Sequence, residues 1–161
     1  MRGYGKQLYV AGMCVVSMAG VCGTSVGAPP AGAAHVHPTE GPHHGALIEL
    51  GKEEYHAELV HDDRAGFVTI YILDGAAKTA VPIQAKEVTL NLFVGGKPRQ
   101  FRLAALAQPA DPAGMSSAFT AKGADLCRAI DAKDLKGRLN VEVIGKMYTG
   151  SVGPHTHSHA H

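Results

Sequence analysis

Hydrophobic and polar residues alternate over much of the chain with the two-residue period of a β-strand. In residues 87–94 (EVTLNLFV) and 138–144 (RLNVEVI), valine or leucine occupies every second position and predicts one buried face. Residues 67–73 (FVTIYIL) are β-branched or aromatic on both faces, which predicts a central strand covered on both sides. Residues 124–130 fit either a helical turn or a strand. Further strands are predicted at residues 46–50, 55–61, 81–84, 97–104, 116–121 and 147–152.

Short polar segments that contain glycine separate these runs and have the lengths of hairpin connections. Residues 62–66 (DDRAG) fit a hairpin loop, and Gly95-Gly96 fits a two-residue turn that permits positive φ. Seven to nine short strands at intervals of about ten residues, with little helical pattern, predict an all-β protein. We therefore expect an antiparallel two-sheet sandwich of immunoglobulin-like type at residues 45–152. A small closed barrel is the alternative, because alternation does not determine closure.

The N-terminal residues 1–28 have the order of a secretory signal peptide, with a basic start, an apolar segment and a small-residue exit. The apolar run, residues 8–23, is shorter than the roughly 20 residues of a membrane-spanning helix, which favours removal over anchoring. Val21 is too large for the position before a lipidated Cys22, which disfavours a lipoprotein. We expect an exported, periplasmic or extracellular protein without stable membrane insertion after signal removal.

Composition narrows the classes of partner. The formal net charge is +1, aromatic residues make up 6% and tryptophan is absent, so nothing predicts nucleic-acid binding. Removal of residues 1–28 leaves Cys127 as the single cysteine, which excludes an internal disulfide. Cys127 lies among apolar residues, and a buried thiol is therefore expected in preference to a nucleophile.

Histidine is the unusual residue type, with ten in the chain. Four lie in the flexible lead, residues 29–44, and four lie at alternate positions in the tail, residues 153–161 (GPHTHSHAH). Neutral imidazole suits copper, zinc and nickel, and alternation in an extended tail presents the nitrogens on one side. The pattern predicts metal capture; the alternative is a solvated polar tail with incidental affinity.

Two histidines fall inside the predicted domain. His56 and Glu58 share one strand face, so they can share a metal, or the carboxylate can orient the imidazole. The competing interpretation is a polar pair on an exposed sheet face. His61 ends the same strand on the opposite face and is predicted to be a turn residue. The side chains of His43 and His44 point apart in extended chain, so one of them is expected to join a site. The predicted metal ligands are His43, His56, His155, His157, His159 and His161.

Two enzyme patterns match only in part. His56 and Glu58 give the H-x-E half of the zinc deaminase signature, but P-C-x-x-C is missing. His56 and His61 do not have the H-E-x-x-H spacing of zinc proteases. With no other catalytic motif, the sequence predicts a protein that is not an enzyme.

The segments GPHHGALIELG, EEYHAELVHD and GRLNVEVIGKMYTGSV resemble a family of exported bacterial proteins. A similar module precedes some periplasmic adaptor subunits of heavy-metal efflux pumps. The resemblance runs from Gly41 to the end of the chain, and its motifs are structural and name no reaction. The family pattern has glycine at the position of His44, and histidine at those of His43, His56 and the histidines after Pro154.

The resemblance implies an envelope location and favours metal handling. Together with the histidine pattern, it predicts an exported protein that captures or delivers a divalent transition metal (copper, zinc or nickel) near an efflux system. An envelope or efflux component is the expected partner. The alternative is a non-enzymatic β-sandwich that serves as a protein-interaction module of the cell envelope.

Overall fold

The computed structural model describes residues 39–154, and the structural statements below concern these residues. They form eight strands and one short helix. The strands are β1 (Ala46–Leu50), β2 (Tyr55–Asp62), β3 (Phe67–Asp74), β4 (Glu87–Val94), β5 (Lys97–Leu106), β6 (Ala118–Lys122), β7 (Lys136–Val143) and β8 (Lys146–Val152), and the helix is α1 (Ala124–Ile130).

All eight strands belong to one sheet, in the order β1-β2-β3-β6-β5-β4-β7-β8, and every neighbouring pair is antiparallel. The two edge strands, β1 and β8, contact one another, so the sheet curves into a nearly closed barrel. The predicted all-β antiparallel fold is confirmed, and the predicted two-sheet sandwich is wrong. The physical reason is β6, which pairs with both β3 and β5 and so joins the two halves of the chain into one sheet.

The core lies inside the barrel. It contains the alternating apolar residues of the strands, with Phe119 of β6 among the largest fully buried side chains. Residues 124–130 form a helix, and its buried face (Leu126, Ala129 and Ile130) joins this core. No helix within residues 39–154 is long and apolar enough to cross a membrane. The strand predicted at residues 81–84 is reduced to a single bridge between Ile83 and Ser116.

Strand β2 has different surroundings on its two faces. Ala57 and Leu59 point inward and belong to the core. Because neighbouring side chains alternate, His56 and Glu58 project from the outer surface of the barrel. Both are nevertheless buried, so another part of the chain must cover them.

A seam of side chains joins β1 to β8. Gly150 lies so close to β1 that a Cβ atom there would stand 2.4 Å from Ile48 Cγ2 and 2.8 Å from the carbonyl oxygen of Glu49. At the adjoining end, the Tyr148 hydroxyl donates to Glu54 at 2.7 Å, and the Lys146 ammonium donates to both Glu54 oxygens at 2.9 Å. The barrel therefore closes through contacts of its last strand with β1 and with the turn that follows β1.

The seam predicts a pH dependence of stability. Hydrogen bonds from Tyr148 and then from Lys146 hold the pKa of Glu54 below its ordinary value. A lowered carboxyl pKa contributes stability above the unfolded-state pKa, and this stability is lost as the pH falls through the folded-state value. We expect Glu54→Gln to lower the melting temperature at neutral pH and to flatten its decline between pH about 5 and 3, measured by circular dichroism. An unchanged pH profile in Glu54→Gln would show that the seam carboxylate does not contribute.

Candidate functional site

Three potential metal ligands meet where β2 ends next to the C-terminal end of α1. His61 is the penultimate residue of β2, Asp63 follows in the turn to β3, and Asp131 caps α1. Their ligand atoms all lie within 4.8 Å of one another. His61 Nε2 lies 3.1 Å from Asp63 Oδ1, and His61 Nδ1 lies 3.1 Å from Asp131 Oδ1. Imidazole nitrogen and carboxylate oxygen are common metal ligands, so this group can hold a metal ion.

The imidazole of His61 is buried, whereas the two carboxylates are open to solvent. The His61 side chain is 3% exposed, and its Nε2 makes no hydrogen bond despite the nearby carboxylate. A buried polar atom without a partner costs free energy, typically about 1–3 kcal/mol. A cation held by Asp63 and Asp131 would accept the lone pair of this nitrogen.

Cys127 lines the same cleft as Asp63 and Asp131. Burial raises the pKa of the Cys127 thiol, and the negative charges of Asp131 and Asp63 raise it further. The thiol is free, and the raised pKa disfavours the thiolate that a nucleophile requires. Lys122 and Arg128 also line this cleft, so two cationic side chains accompany the two carboxylates.

The prediction that His61 is a turn residue is wrong. It pairs with Val68 inside β2, and alternation places its side chain on the same inner face as Leu59. The predicted face was correct, since the alternation of residues 55–61 places His61 on the face opposite His56 and Glu58. Asp63 and Asp131 were not predicted, because nothing local in the sequence indicates that the end of α1 lies against the β2–β3 turn.

A second polar group lies on the outer face of β2, where residues 41–45 fold over Glu58. The Glu58 side chain is 0% exposed. Its Oε1 accepts hydrogen bonds from the backbone N–H of His43 at 2.7 Å and of Gly45 at 2.8 Å. Its Oε2 lies 2.7 Å from His43 Nδ1. Gly41 packs against the carboxylate so closely that a Cβ atom there would stand 2.4 Å from Glu58 Cδ.

The ring of His43 is held between two partners. It stacks on Tyr71, with ring centroids 3.8 Å apart and planes 8° from parallel, while Nδ1 faces Glu58. Burial, and then the charge of Glu58, raises the pKa of Tyr71. A carboxylate that is ionised only accepts hydrogen bonds, and in that case Nδ1 is the donor of this hydrogen bond. The His43 side chain remains 43% exposed.

The two adjacent histidines of this loop have different environments. The His44 side chain is 88% exposed, and its nearest acidic partner is Glu40, at 3.6 Å. Its φ of 61° lies in the left-handed region that favours glycine. Only His43 contacts Glu58, in keeping with the expectation that the neighbours diverge.

His56 and Glu58 do not contact each other as a pair. His56 is buried, and its Nδ1 lies 3.2 Å from the carbonyl oxygen of Asp74. The interpretation as an exposed polar pair is wrong, because the loop at residues 41–45 covers Glu58 on this face. Glu58 does orient an imidazole, but that of His43. A metal ligand role for His56 stays a prediction, as does that of the tail histidines, which lie outside residues 39–154.

Comparison with known proteins adds no assignment. A scan against protein-family models found no match, and searches of curated proteins and of solved structures found no significant match.

Proposed function

We propose that this protein binds a divalent transition metal at His61, Asp63 and Asp131 and serves to capture or deliver that metal outside the cytoplasm. The observation that carries the proposal is that the buried imidazole of His61 lies between the carboxylates of Asp63 and Asp131, with the three ligand atoms within 4.8 Å of one another. The exported location is supported by the signal-like pattern of residues 1–28 and by the resemblance to exported bacterial proteins.

The ligand set supports a transfer site. One imidazole and two carboxylates provide three protein ligands, which leave further coordination positions open, whereas structural zinc sites are closed by four. The carboxylates of Asp63 and Asp131 are solvent-exposed, so a metal can enter and leave without unfolding of the barrel. Imidazole favours zinc, copper or nickel over calcium or magnesium, whose preferred ligands are all oxygen.

Calorimetric titration with Zn²⁺, Cu²⁺ and Ni²⁺ tests this proposal. The titration uses a full-length protein, called the tail variant, in which serine replaces His155, His157, His159 and His161. The tail histidines then do not contribute to the measured metal binding. We expect one saturable site, abolished by His61→Ala and weakened more than about tenfold by Asp131→Asn. At a free metal concentration 100 times the Kd, binding should raise the free energy of unfolding by about 2.7 kcal/mol, and His61→Ala should remove this gain.

Asp125→Asn is the matched control, because Asp125 is an exposed aspartate of α1 that pairs with Arg128 and lies outside the cluster. It should leave the affinity unchanged. Equal binding by the tail variant and its His61→Ala derivative would contradict the proposed site.

A further inference from the structure

The outer surface of β5, β4, β7 and β8 carries three adjacent rows of polar side chains, which we call the cationic face. The register of the four strands defines these rows. They are Pro98–Phe93–Lys136, Gln100–Asn91–Arg138–Ser151 and Arg102–Thr89–Asn140–Thr149. All of these residues are exposed or half-buried. With strands about 4.8 Å apart and about 3.4 Å per residue along each strand, the cationic face extends about 14 Å in both directions.

The charges on the cationic face have one sign. Arg102, Lys136 and Arg138 lie on its rows, and no acidic residue does. The nearest carboxylates on these strands, those of Glu87 and Glu142, lie one row beyond its border, where Glu87 contacts Arg102 at 3.4 Å. Among residues 39–154, Lys136 and Arg138 form no ion pair. A negatively charged partner therefore complements this surface.

Hydrogen bonds within the cationic face use amide acceptors and leave amide donors. Gln100 Nε2 donates to Asn91 Oδ1 at 2.9 Å, and the Thr149 hydroxyl donates to Asn140 Oδ1 at 3.0 Å. Both asparagine carbonyl oxygens thus have a partner, whereas no acceptor within residues 39–154 binds either asparagine NH₂ group. These NH₂ groups add neutral donors to the charged donors of arginine and lysine. The partner that matches this surface is rich in oxygen acceptors as well as in negative charge.

We propose that the cationic face binds an acidic polysaccharide, whose carboxylate and hydroxyl oxygens accept hydrogen bonds from these cations and amides. Arg138 lies beside Asn91 in the middle row, so a charged and a neutral donor can bind neighbouring oxygens of one chain. Phe93, 54% exposed, lies in the row at one end of the face. Its ring provides an apolar surface for the C–H side of a sugar ring.

The composition of the cationic face favours a polysaccharide over a protein or a bilayer. The centres of protein interfaces are depleted in charged residues and depend on buried apolar anchors. Surfaces that lie on membranes bury a broad apolar face. The cationic face offers Phe93 and Pro98 at one end and polar or charged side chains elsewhere. A hydroxylated, negatively charged polymer satisfies such a surface without apolar anchors.

The cationic face is separate from the metal cluster. His61 points into the barrel from β2, and Asp131 caps α1, whereas the cationic face lies outside four other strands. The proposal therefore does not rest on metal binding, and each can fail without the other.

Calorimetric titration of the full-length protein with a galacturonate oligomer tests the proposal. The buffer contains EDTA, which removes any metal that would bridge sugar and protein, and is held at about pH 8, where histidine with its ordinary pKa of about 6.5 is neutral. We expect saturable binding that weakens as salt is added, and no binding of an uncharged dextran oligomer. Absence of galacturonate binding, or equal binding of dextran, would overturn the proposal.

A double variant locates the binding surface. Lys136→Gln combined with Arg138→Gln should weaken galacturonate binding more than about fivefold. The matched control combines Lys52→Gln with Lys78→Gln, because it removes the same charge from exposed positions outside the cationic face. The control should bind like the wild type. Equal losses of affinity in the two double variants would show that binding follows net charge alone and would contradict the proposed surface.

A neutral substitution and an acidic peptide test the identity of the partner. Asn91→Ala removes a donor without a change of charge and should weaken galacturonate binding by about two- to tenfold, with the same salt dependence. A glutamate oligomer of equal length should bind more weakly than galacturonate. A glutamate oligomer that binds at least as tightly, together with unchanged galacturonate affinity in Asn91→Ala, would assign the surface to acidic peptides instead.

Discussion

Replacement of Glu58 by alanine is expected to lower the free energy of unfolding by about 3 kcal/mol, because the N–H groups of His43 and Gly45 lose their acceptor and each unsatisfied donor costs about 1–3 kcal/mol. The change also leaves a cavity under the loop at residues 41–45. The effect is measured by urea unfolding, with circular dichroism as the signal. The midpoint urea concentration should fall, while the dependence of the unfolding free energy on urea concentration stays the same.

Glu49→Ala is the matched control for this substitution. Glu49 lies opposite His56 on the neighbouring strand β1 and is exposed, so its removal should change stability by less than about 0.5 kcal/mol. If both variants had the same midpoint as the wild type, Glu58 would not be the centre of the loop structure.

Replacement of Gly150 by valine should destabilise the protein by about 2–3 kcal/mol, although valine favours strands. The cause is the close approach of β8 to Ile48 and Glu49 of β1, which leaves no space for a side chain. In an open sheet, Gly150 would lie on a free edge strand and the same substitution would be neutral or stabilising. The sign of the change in thermal stability therefore reports whether the barrel is closed.

Ser151→Val controls for the effect of valine on the strand itself. Ser151 is the exposed neighbour of Gly150 on β8, and its side chain points away from the seam. The free energy of unfolding of the Ser151→Val variant should stay within about 0.5 kcal/mol of the wild-type value. A Gly150→Val variant at least as stable as Ser151→Val would contradict closure through β1 and β8.

The strands could be predicted because their signals are local. The alternation of residues 87–94 coincides with β4, and the glycine pair after it forms the expected turn, with φ of 57° at Gly95 and 75° at Gly96. The curvature of the sheet could not be predicted in the same way. An inward leucine has the same alternation in a sandwich and in a barrel. What distinguishes them is that β6 pairs with both β3 and β5, and neither pairing leaves a local signal in the sequence.

The candidate sites show the same limit. The sequence directed attention to His43 and to the pairing of an imidazole with Glu58, but it assigned the wrong histidine because a loop, not a strand, covers the outer face of β2. The glycines of the GPHHG segment were the available signal, since Gly41 is required by the close approach to Glu58. The meeting of His61 with Asp131 depends on tertiary packing of α1 and has no counterpart in a local pattern.

The meeting of the first and last strands has a consequence for the order of folding. Strands β1 to β3 are consecutive in the chain and pair with one another. The other side of β1 is covered only by β8, whose core residues Tyr148 and Val152 lie near the other end of the domain sequence. Contacts between distant segments slow folding, because the loop-closure entropy is lost before the contacts form. A chain that emerges from its N-terminus therefore keeps an open core until β8 has emerged, and we expect barrel closure to be the late, slow step of folding.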